Sequence, residues 1–284
     1  MKKELMIIGP PTLENKALLL AAKKRKFKAR LCRVADFSFI TAGDNLVLYY
    51  NQTKIKPPDI CIVRGTAPYD TEARLIARFF QNRGTRIIDR VLVSKNYELH
   101  KLGSAVIFSQ HRLPFVPTFY FSSWSGLSGQ IKKLPAQVVV KDIKGRKSKN
   151  LFFLKRSELK KFFIERDPGD FIIQPKINGD YCYRVLVVGD RVLGSIRKVG
   201  YFHPRKRDIV PEEQFIPAEI TVDMKRICLK AQKAFNYDIA GIDILLDGTK
   251  PMILEINRCP GFKGFMSALN LDVAAEIIKF IEKK

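Results

Sequence analysis

The stretch Ala240-Gly-Ile-Asp-Ile-Leu-Leu-Asp-Gly-Thr-Lys-Pro-Met-Ile-Leu-Glu-Ile-Asn257 decides how this sequence is interpreted. Apolar and polar residues alternate on both sides of Asp247-Gly248, which predicts two antiparallel strands joined by a tight turn. In the second strand, strict alternation places one set of side chains on one face and the other set on the opposite face: Met252, Leu254 and Ile256 against Ile253, Glu255 and Asn257. The sequence therefore predicts a β-hairpin with a polar face.

That polar face carries the candidate chemistry. Glu255 and Asn257 are two residues apart, and Asp243 on the partner strand is expected opposite them. Two carboxylates and an amide oxygen suit Mg²⁺ bound together with substrate phosphates. The alternative is the solvated face of an ordinary hairpin. The apolar residues around Asp243 and Glu255 favour the metal site, because an ionised carboxylate in such surroundings is costly without a cation.

The order Ala-Gly-Ile-Asp-Ile-Leu, then Leu-Glu-Ile-Asn-x-x-Pro-Gly, resembles the metal-binding hairpin of ATP-grasp ligases. It is similar to the RimK-like group, which joins amino acids, often glutamate, to an amine acceptor. The resemblance covers about residues 94 to 284. It implies an ATP-grasp fold, α+β in its core, preceded by a small Rossmann-like α/β domain. It also implies that Asp243, Glu255 and Asn257 bind one or two Mg²⁺ ions, with Mn²⁺ as a substitute, beneath the phosphates of ATP.

Length and composition set the outer bounds. A chain of 284 residues with 46% hydrophobic and 28% charged residues predicts a soluble globular protein of two or three parts. No apolar run approaches the roughly 20 residues that a membrane span needs, and the short run after Met1-Lys-Lys suits a first strand, so a cytoplasmic protein is expected. Five scattered cysteines without a C-x-x-C pair predict reduced thiols and no zinc site.

The formal net charge is +23, with a pI near 9.9. An excess of this size favours polyanionic partners: nucleic acid, ribosomes, nucleotides or acidic substrates. The alternative is a lysine-rich composition spread over solvated faces, since the basic residues run along the whole chain. Both interpretations of the charge stay open. The sequence also leaves open whether the protein forms a homo-oligomer.

Residues 1–93 are expected to form the N-terminal α/β domain. Helices over about 12–27 and 68–81 separate the predicted strands, which together indicate a largely parallel sheet: 5–8, 29–34, 46–50, 59–63 and 86–89. Arg64 follows a strand end, where open α/β sheets bind ligands, so it is a candidate for a substrate carboxylate, with a surface arginine as the alternative.

Residues 94–175 are assigned to the central lid subdomain. A helix over 94–110 carries Lys101, and the strand Gln137–Lys141 ends in a charge that needs an anion. The resemblance implies that Lys101 and Lys141 bind the nucleotide phosphates. The family's glycine-rich phosphate loop corresponds to residues 144–150, where Gly145 is the single glycine and basic side chains would replace backbone donors. A helix is expected from Ser157 to about Glu165.

The adenine ring is expected beside the strand 171–177. The resemblance assigns Gln174, Pro175, Lys176 and Ile177 to the nucleotide. Pro175 replaces an acidic residue there, but its carbonyl oxygen remains an acceptor for the adenine amino group.

Residues 176–284 form the predicted C-terminal subdomain. It begins with a hairpin over 181–198 that turns at Gly189-Asp190, continues with a helix over about 219–235 and ends in a helix over 273–282. The resemblance implies that Arg184 lies near the transferred phosphoryl group and that Lys198 stands in for a catalytic arginine. Two positions depart from the family: Cys182 replaces an aspartate, and Tyr201–Asp208 replaces the acceptor motif. His203 in that segment is interpreted as a surface histidine.

These features predict an ATP- and Mg²⁺-dependent carboxylate-amine ligase. A carboxylate attacks the γ-phosphoryl group, and an amine then displaces phosphate to give an amide or peptide bond. The expected partners are ATP, an amino-acid donor such as glutamate, and an acidic or ribosome-associated acceptor that the sequence does not identify. The alternative is an ATP-grasp-like basic module that has lost catalytic power and binds RNA or the ribosome.

Overall fold

The computed structural model describes residues 2–42, 45–94, 100–143, 150–179, 181–199 and 215–283. The first part of the chain contains β1 (Glu4–Ile8), α1 (Leu13–Lys24), β2 (Lys28–Cys32), β3 (Phe37–Ala42), β4 (Asn45–Tyr50), β5 (Thr53–Lys54), β6 (Ile60–Val63), α2 (Asp70–Gln81) and β7 (Arg86–Ile88). The middle contains α3 (Lys101–Gln110), β8 (Phe119–Tyr120), α4 (Trp124–Gln130), β9 (Gln137–Asp142), β10 (Leu151–Lys155), α5 (Leu159–Phe162) and β11 (Phe171–Pro175). The last part contains β12 (Tyr181–Val188), β13 (Arg191–Val199), β14 (Phe215–Pro217), α6 (Val222–Ala234), β15 (Ile239–Asp247), β16 (Lys250–Asn257), α7 (Lys263–Leu269) and α8 (Val273–Lys283).

The N-terminal part is a parallel four-stranded sheet in the order β2-β1-β6-β7, as predicted. Its two central strands, β1 and β6, are short apolar runs, which suit strands that are covered on both faces. The Thr12 hydroxyl caps α1 by accepting the Asn15 N–H at 3.2 Å, and basic residues close the helix.

The strand predicted over 46–50 belongs elsewhere. It is part of β4, which pairs antiparallel with β3 and β5 in a separate three-stranded sheet. The prediction missed β3, so it assigned this strand to the parallel sheet. Only a short connection separates β3 from β4, and short connections favour antiparallel hairpins. Asn51 and Gln52 form the turn between β4 and β5, and both residues have positive φ.

The central part is an antiparallel sheet in the order β10-β9-β11-β8. It has its own apolar core, whose fully or nearly fully buried members are Leu127, Leu134, Val138, Val140, Leu159, Phe163 and Ile173. The helix predicted from Ser157 to Glu165 is wrong in length. A 3-10 turn over Arg156–Glu158 precedes α5, which ends at Phe162, where aromatic rings pack together on the sheet.

The C-terminal part is an antiparallel five-stranded sheet in the order β14-β13-β12-β15-β16. Successive residues of β12 face opposite ways. Val185 and Val187 pack in one core with α6 and with Phe108 of α3, whereas Leu186 and Val188 pack in another core with α1, α8 and the N-terminal sheet. Because α3 also contacts β16, residues 101–110 lie on the five-stranded sheet. The predicted domain boundaries at 93/94 and 175/176 remain predictions.

All five cysteines are free thiols. Among the helices of the described ranges, none is both long enough and apolar enough to cross a bilayer.

Candidate nucleotide and metal site

The predicted hairpin is formed by β15 and β16, and it brings the three expected ligands to one face. Asp243 lies directly opposite Glu255, and Gly241 lies opposite Asn257. On the other side of β15, Arg184 of β12 is the cross-strand neighbour of Asp243. Side chains that are directly opposite on one face approach each other within contact distance. The sheet therefore places one arginine, two carboxylates and one amide in a single cluster.

A bulge breaks the predicted alternation in β16. Asp243 pairs with Glu255, but the next residue of β15, Ile244, pairs with Ile253, so Leu254 has no opposite residue. As a result Leu254 packs with Leu245 on the ligand face, while Ile253 and Ile256 pack in the core on the other face. The expectation that Ile253 shares a face with Glu255 is wrong, because one extra residue reverses the alternation.

Arg184 and Asp243 form a buried ion pair. Nε of Arg184 donates to Oδ1 of Asp243 at 2.7 Å, and Nη2 donates to Oδ2 at 2.6 Å. The Asp243 side chain is fully buried, and that of Arg184 is 21% exposed. Burial alone would raise the pKa of Asp243, but the Arg184 guanidinium outweighs it and holds that pKa below its ordinary value. Asp243 is therefore an ionised carboxylate at neutral pH.

Glu255 lies beside this pair. Its Oε1 accepts a hydrogen bond from Nδ2 of Asn257 at 3.0 Å and lies 3.8 Å from Nη2 of Arg184. Burial and the charge of Asp243 raise the pKa of Glu255. An ionised carboxylate beside a second one whose ionisation it opposes, with an amide next to them, fits a hard divalent cation.

The donor set also limits what the protein alone can supply. In the described part of the chain, no three His, Cys, Asp or Glu side chains cluster as metal ligands. A cation bound by Asp243 and Glu255 would therefore take further oxygens from Asn257, water or phosphate, as Mg²⁺ does in phosphate-binding sites.

Lys101 joins this cluster to the central sheet. It begins α3, and its Nζ donates to the carbonyl oxygen of Asp142 at 2.7 Å. Burial lowers the pKa of Lys101, while the charges of Glu255 and Asp142 act in the opposite direction. Lys101 therefore lies close to the carboxylate cluster.

A narrow cavity lies between the central sheet and the five-stranded sheet, next to the cluster. It is lined by Val116, Val139, Lys141, Leu151, Phe153, Gln174, Pro175, Ile177, Leu245 and Leu254. Its walls are mostly apolar, and Lys141 is 8% exposed there. A cavity with mostly apolar walls and a few polar groups is typical of a small-molecule site.

Gln174 is a polar residue of this cavity whose side-chain oxygen can accept a further hydrogen bond. Its Nε2 donates to the Thr118 hydroxyl at 2.9 Å, but its buried Oε1 has no hydrogen-bond partner among the described residues. An unsatisfied buried acceptor is costly, and a donor on a bound ligand would satisfy it. This atom therefore supports an amino-bearing ring in the cavity.

The other predicted residues differ in how they relate to the cavity. Pro175 and Ile177 line it, but the Lys176 side chain is exposed and its N–H donates to the Gln137 carbonyl. Lys176 is therefore not among the residues around the cavity. Gly145, the loop over 144–149 and the segment 201–208 with His203 lie outside the described residues.

Lys198 and Cys182 face each other on β13 and β12. Lys198 is half-buried, and its charge contributes to the low pKa of Asp243. Cys182 is completely buried beside Leu245 and Leu254, and burial together with the charge of Asp243 raises the pKa of its thiol. It is a packing residue, and the cluster holds no third carboxylate at this position.

Sequence reasoning misplaced Arg64 and missed part of the cavity. Arg64 is neither a surface residue nor a free substrate ligand, because it is 4% exposed and its Nη2 donates to the carbonyl oxygen of Pro260 at 2.7 Å. Thr118, Leu245 and Leu254 line or support the cavity without having been predicted. The two leucines lie inside the quoted hairpin, but strict alternation concealed Leu254.

Comparison with known proteins adds independent information. A model of the RimK-like ATP-grasp domain matches residues 100–281. The "Probable alpha-L-glutamate ligase" of Chromohalobacter salexigens is 24% identical over 276 residues, covering 95% of this chain and 91% of that protein. The protein of the same name from Trichodesmium erythraeum is 28% identical over 153 residues, and this match covers 52% of this chain and only 51% of that relative.

Among solved structures, the ATP-grasp ligase PsnB complexed with precursor peptide PsnA2 and AMPPNP has a TM-score of 0.74 at 16% sequence identity. The match covers 99% of this chain and 97% of PsnB. At this identity the likeness concerns the fold, and it confirms the predicted architecture of an ATP-grasp core preceded by a small α/β domain.

Proposed function

Because the chain belongs to the RimK-like ATP-grasp family and is an ATP-grasp ligase of the carbon–nitrogen bond-forming class, we propose that it activates a carboxylate with Mg²⁺-ATP and transfers the acyl group to an amine. The product is an amide or peptide bond, together with ADP and phosphate. Glutamate, or an amino acid like it, is the proposed substrate to be joined, and a protein or a small molecule is the proposed acceptor.

One observation carries this proposal. Leu254 lines the apolar cavity, and the next residue, Glu255, belongs to the carboxylate cluster. The bulge in β16 turns both side chains to the same face. A purine in the cavity would therefore have its phosphates directed along the ligand face of the hairpin, where Asp243, Glu255 and Asn257 would hold Mg²⁺.

The charges of the cluster suit the reaction. In the first step a carboxylate oxygen attacks the γ-phosphorus, the bond to the β-phosphate oxygen breaks, and ADP leaves. Two anions must approach each other, so the site needs positive charge. Bound Mg²⁺ would neutralise phosphate oxygens, and Lys101, Lys141, Arg184 and Lys198 would add cationic side chains around them. In the second step the amine attacks the acyl carbon, phosphate leaves, and the amine gives up a proton.

The net charge of this chain and the names of its relatives both bear on the acceptor. The relatives described above are named probable alpha-L-glutamate ligases, and the structure of PsnB contains a bound precursor peptide. The net charge of +23 in this chain favours an acidic acceptor, because the field of a basic protein raises the local concentration of anions. We therefore propose an acidic peptide or an acidic small molecule as acceptor.

The binding-module alternative is not favoured. A basic scaffold for RNA has no need for two carboxylates that face each other beside an apolar cavity, since carboxylates repel phosphate unless a cation lies between them. This repulsion between carboxylates and phosphate also favours a site with Mg²⁺ over a site without metal. Whether one or two ions bind, and whether Mn²⁺ replaces Mg²⁺, belongs to the proposal and is measured by titration.

The test is ADP formation with Mg²⁺-ATP, glutamate or other amino acids, and pools of acidic peptides and amines. We expect Asp243→Asn and Glu255→Gln each to reduce ADP formation by at least about 100-fold, a loss typical for removing one group that stabilises developing charge. Asp223→Asn on the exposed start of α6 is the control and should retain the wild-type rate. Full activity in either cluster variant, or no ADP with any pool, would contradict the proposal.

A further inference from the structure

The chain that leaves the metal hairpin is held by the N-terminal sheet. Arg258, directly after Asn257, is 9% exposed. Its Nη1 donates to the carbonyl oxygen of Val63 at 2.9 Å and to Oδ2 of Asp89 at 3.2 Å. Val63 ends β6, and Asp89 follows β7. Both acceptors therefore belong to the carboxyl edge of the N-terminal sheet.

A second arginine makes the same kind of contact in the other direction. Arg64 of the N-terminal sheet donates to the carbonyl oxygen of Pro260, and its guanidinium lies 5.2 Å from the ring centroid of Phe262. Each of the two parts thus has one buried arginine that donates a hydrogen bond to a backbone carbonyl of the other part. The segment after β16 is fixed to the N-terminal sheet at residues 258 and 260.

Asp89 connects this segment to the other strand of the hairpin. Its Oδ1 accepts the N–H groups of Asp238 at 2.8 Å and Ile239 at 3.2 Å, and Ile239 begins β15. The N–H of Asp89 in turn donates to Oδ2 of Asp238 at 3.1 Å. The Asp89 carboxylate therefore contacts both Ile239, the first residue of β15, and Arg258, the residue that follows β16.

The conformation of Asp89 is costly. It is 3% exposed and lies in the left-handed region, with φ 53° and ψ 81°. A non-glycine residue in this region, carrying a buried carboxylate next to a second one on Asp238, needs compensating contacts. The contacts that compensate are the ones to the two ends of the hairpin.

The bulge explains why such an anchor is needed. In a regular hairpin the turn sets the pairing register along both strands. Here the turn at Gly248 sets the pairs up to Ile244 and Ile253, and the bulge then interrupts the ladder before Asp243 and Glu255. The ligand half of the hairpin lies beyond the interruption, so a second anchor at its open end fixes the position of the ligands.

We propose that Asp89 and Arg258 are positioning residues that hold the open end of the metal hairpin and thereby set the spacing of Asp243, Glu255 and Asn257 for a divalent cation. The inference rests on the proposed function, because it assumes that these three residues bind Mg²⁺. Neither Asp89 nor Arg258 would touch the substrate or the metal. Partners that orient metal ligands in this way typically change metal affinity by 10- to 100-fold when they are altered.

The variants are Asp89→Asn and Arg258→Lys. Asparagine keeps an oxygen that can accept the N–H groups at the start of β15 but loses the charge that holds Arg258. Lysine keeps the charge but loses the planar guanidinium that reaches two acceptors. The matched controls are Asp36→Asn and Arg33→Lys, an exposed arginine–aspartate pair joined by two hydrogen bonds on the same N-terminal part.

Three quantities are measured on the full chain: Mg²⁺ binding by isothermal titration calorimetry in the presence of ADP, the Mg²⁺ concentration that gives half-maximal ADP formation, and the melting temperature. We expect both variants to weaken Mg²⁺ binding and raise the half-maximal concentration by about 10-fold or more, with ADP binding in EDTA unchanged and the controls at wild-type values.

The outcomes separate the two proposals. Wild-type Mg²⁺ affinity in both variants, whatever their melting temperature, would overturn the positioning role. If Asp89→Asn fails to fold, Arg258→Lys alone decides. If the wild-type protein itself neither binds Mg²⁺ with ADP nor forms ADP from ATP, the proposed function fails and the positioning role fails with it.

Discussion

At the scale of single residues, the ion pair of Arg184 and Asp243 combines structure and chemistry. The same carboxylate that would bind the metal is held by a bidentate guanidinium in the protein alone. A cation that bound there would share Asp243 with Arg184, so the guanidinium would lie at the edge of the proposed metal site, close to the phosphate oxygens.

The pair predicts a pH-dependent loss of stability in Arg184→Met. Removing the arginine leaves a fully buried carboxylate without its main cation, which costs about 3–5 kcal/mol for buried pairs; the partial exposure of Arg184 favours the lower end. In the wild-type protein the pKa of Asp243 is depressed, so its contribution is present above its ordinary pKa and is lost as the pH falls through the folded value.

In the Arg184→Met variant, the pKa shift of Asp243 has the opposite sign. Burial then dominates and raises the folded pKa of Asp243, so the penalty is present at neutral pH and disappears as the carboxyl is protonated. Urea unfolding at pH 7 and pH 4.5 should show a larger difference between variant and wild type at pH 7. Arg226→Met, in an exposed pair with Asp223, is the control. An equal difference at both pH values would refute the assignment.

At the scale of elements, the bulge in β16 gives one hairpin two functions. It adds Leu254 to the ligand face, so the strand supplies both a wall of the cavity and the carboxylate next to it. A regular strand would have turned Leu254 away from the cavity.

Leu254→Trp should therefore block nucleotide binding without disturbing the carboxylates. A larger side chain fills the narrow cavity, and we expect the KM for ATP to rise at least about 10-fold, equivalent to about 1.4 kcal/mol. Steady-state kinetics and fluorescence titration with ADP measure the effect. Val222→Trp, at an 81% exposed position, controls for the added indole. Unchanged ADP affinity in Leu254→Trp would show that the nucleotide binds elsewhere.

At the scale of the whole molecule, the apolar cores do not coincide with the four sheets one by one. One core contains residues of β1, β6, β12, β15, α1 and α8, so the N-terminal sheet and the five-stranded sheet share buried surface. The core of the central sheet, in contrast, is built only from residues within 119–173. Parts that share a core unfold together, whereas a separate core opens by itself.

Hydrogen exchange should reveal this division. We expect the amides of β9 and β11 to exchange through an opening of lower free energy than those of β1 and β12, with at least about 10-fold lower protection. Exchange measured by mass spectrometry on the full chain provides the comparison. Addition of Mg²⁺-ADP should reduce the difference in protection, because a nucleotide in the proposed site would contact both sheets. Equal protection in all four strands would mean that the molecule opens as one unit.

The sequence by itself determined most of the elements and their class, and it predicted which residues the hairpin brings together. Alternation, turn residues and helix caps act over a few residues, and they sufficed for the parallel sheet of β1, β2, β6 and β7, for the β12–β13 hairpin, and for the choice of Asp243, Glu255 and Asn257. The motif around these three residues also indicated the family.

Only the tertiary structure decided what depends on residues far apart in the chain. Pairing between β15 and β16 revealed the bulge, which no local pattern indicates, since an extra residue shows only when the partner strand is in place. Likewise Arg64 became an interior residue, and Asp89 and Arg258 became partners, because chain segments 169 residues apart meet at the carboxyl edge of the N-terminal sheet. Local sequence fixes which way a side chain can point along its own element, but its neighbours are set by the packing of the whole chain.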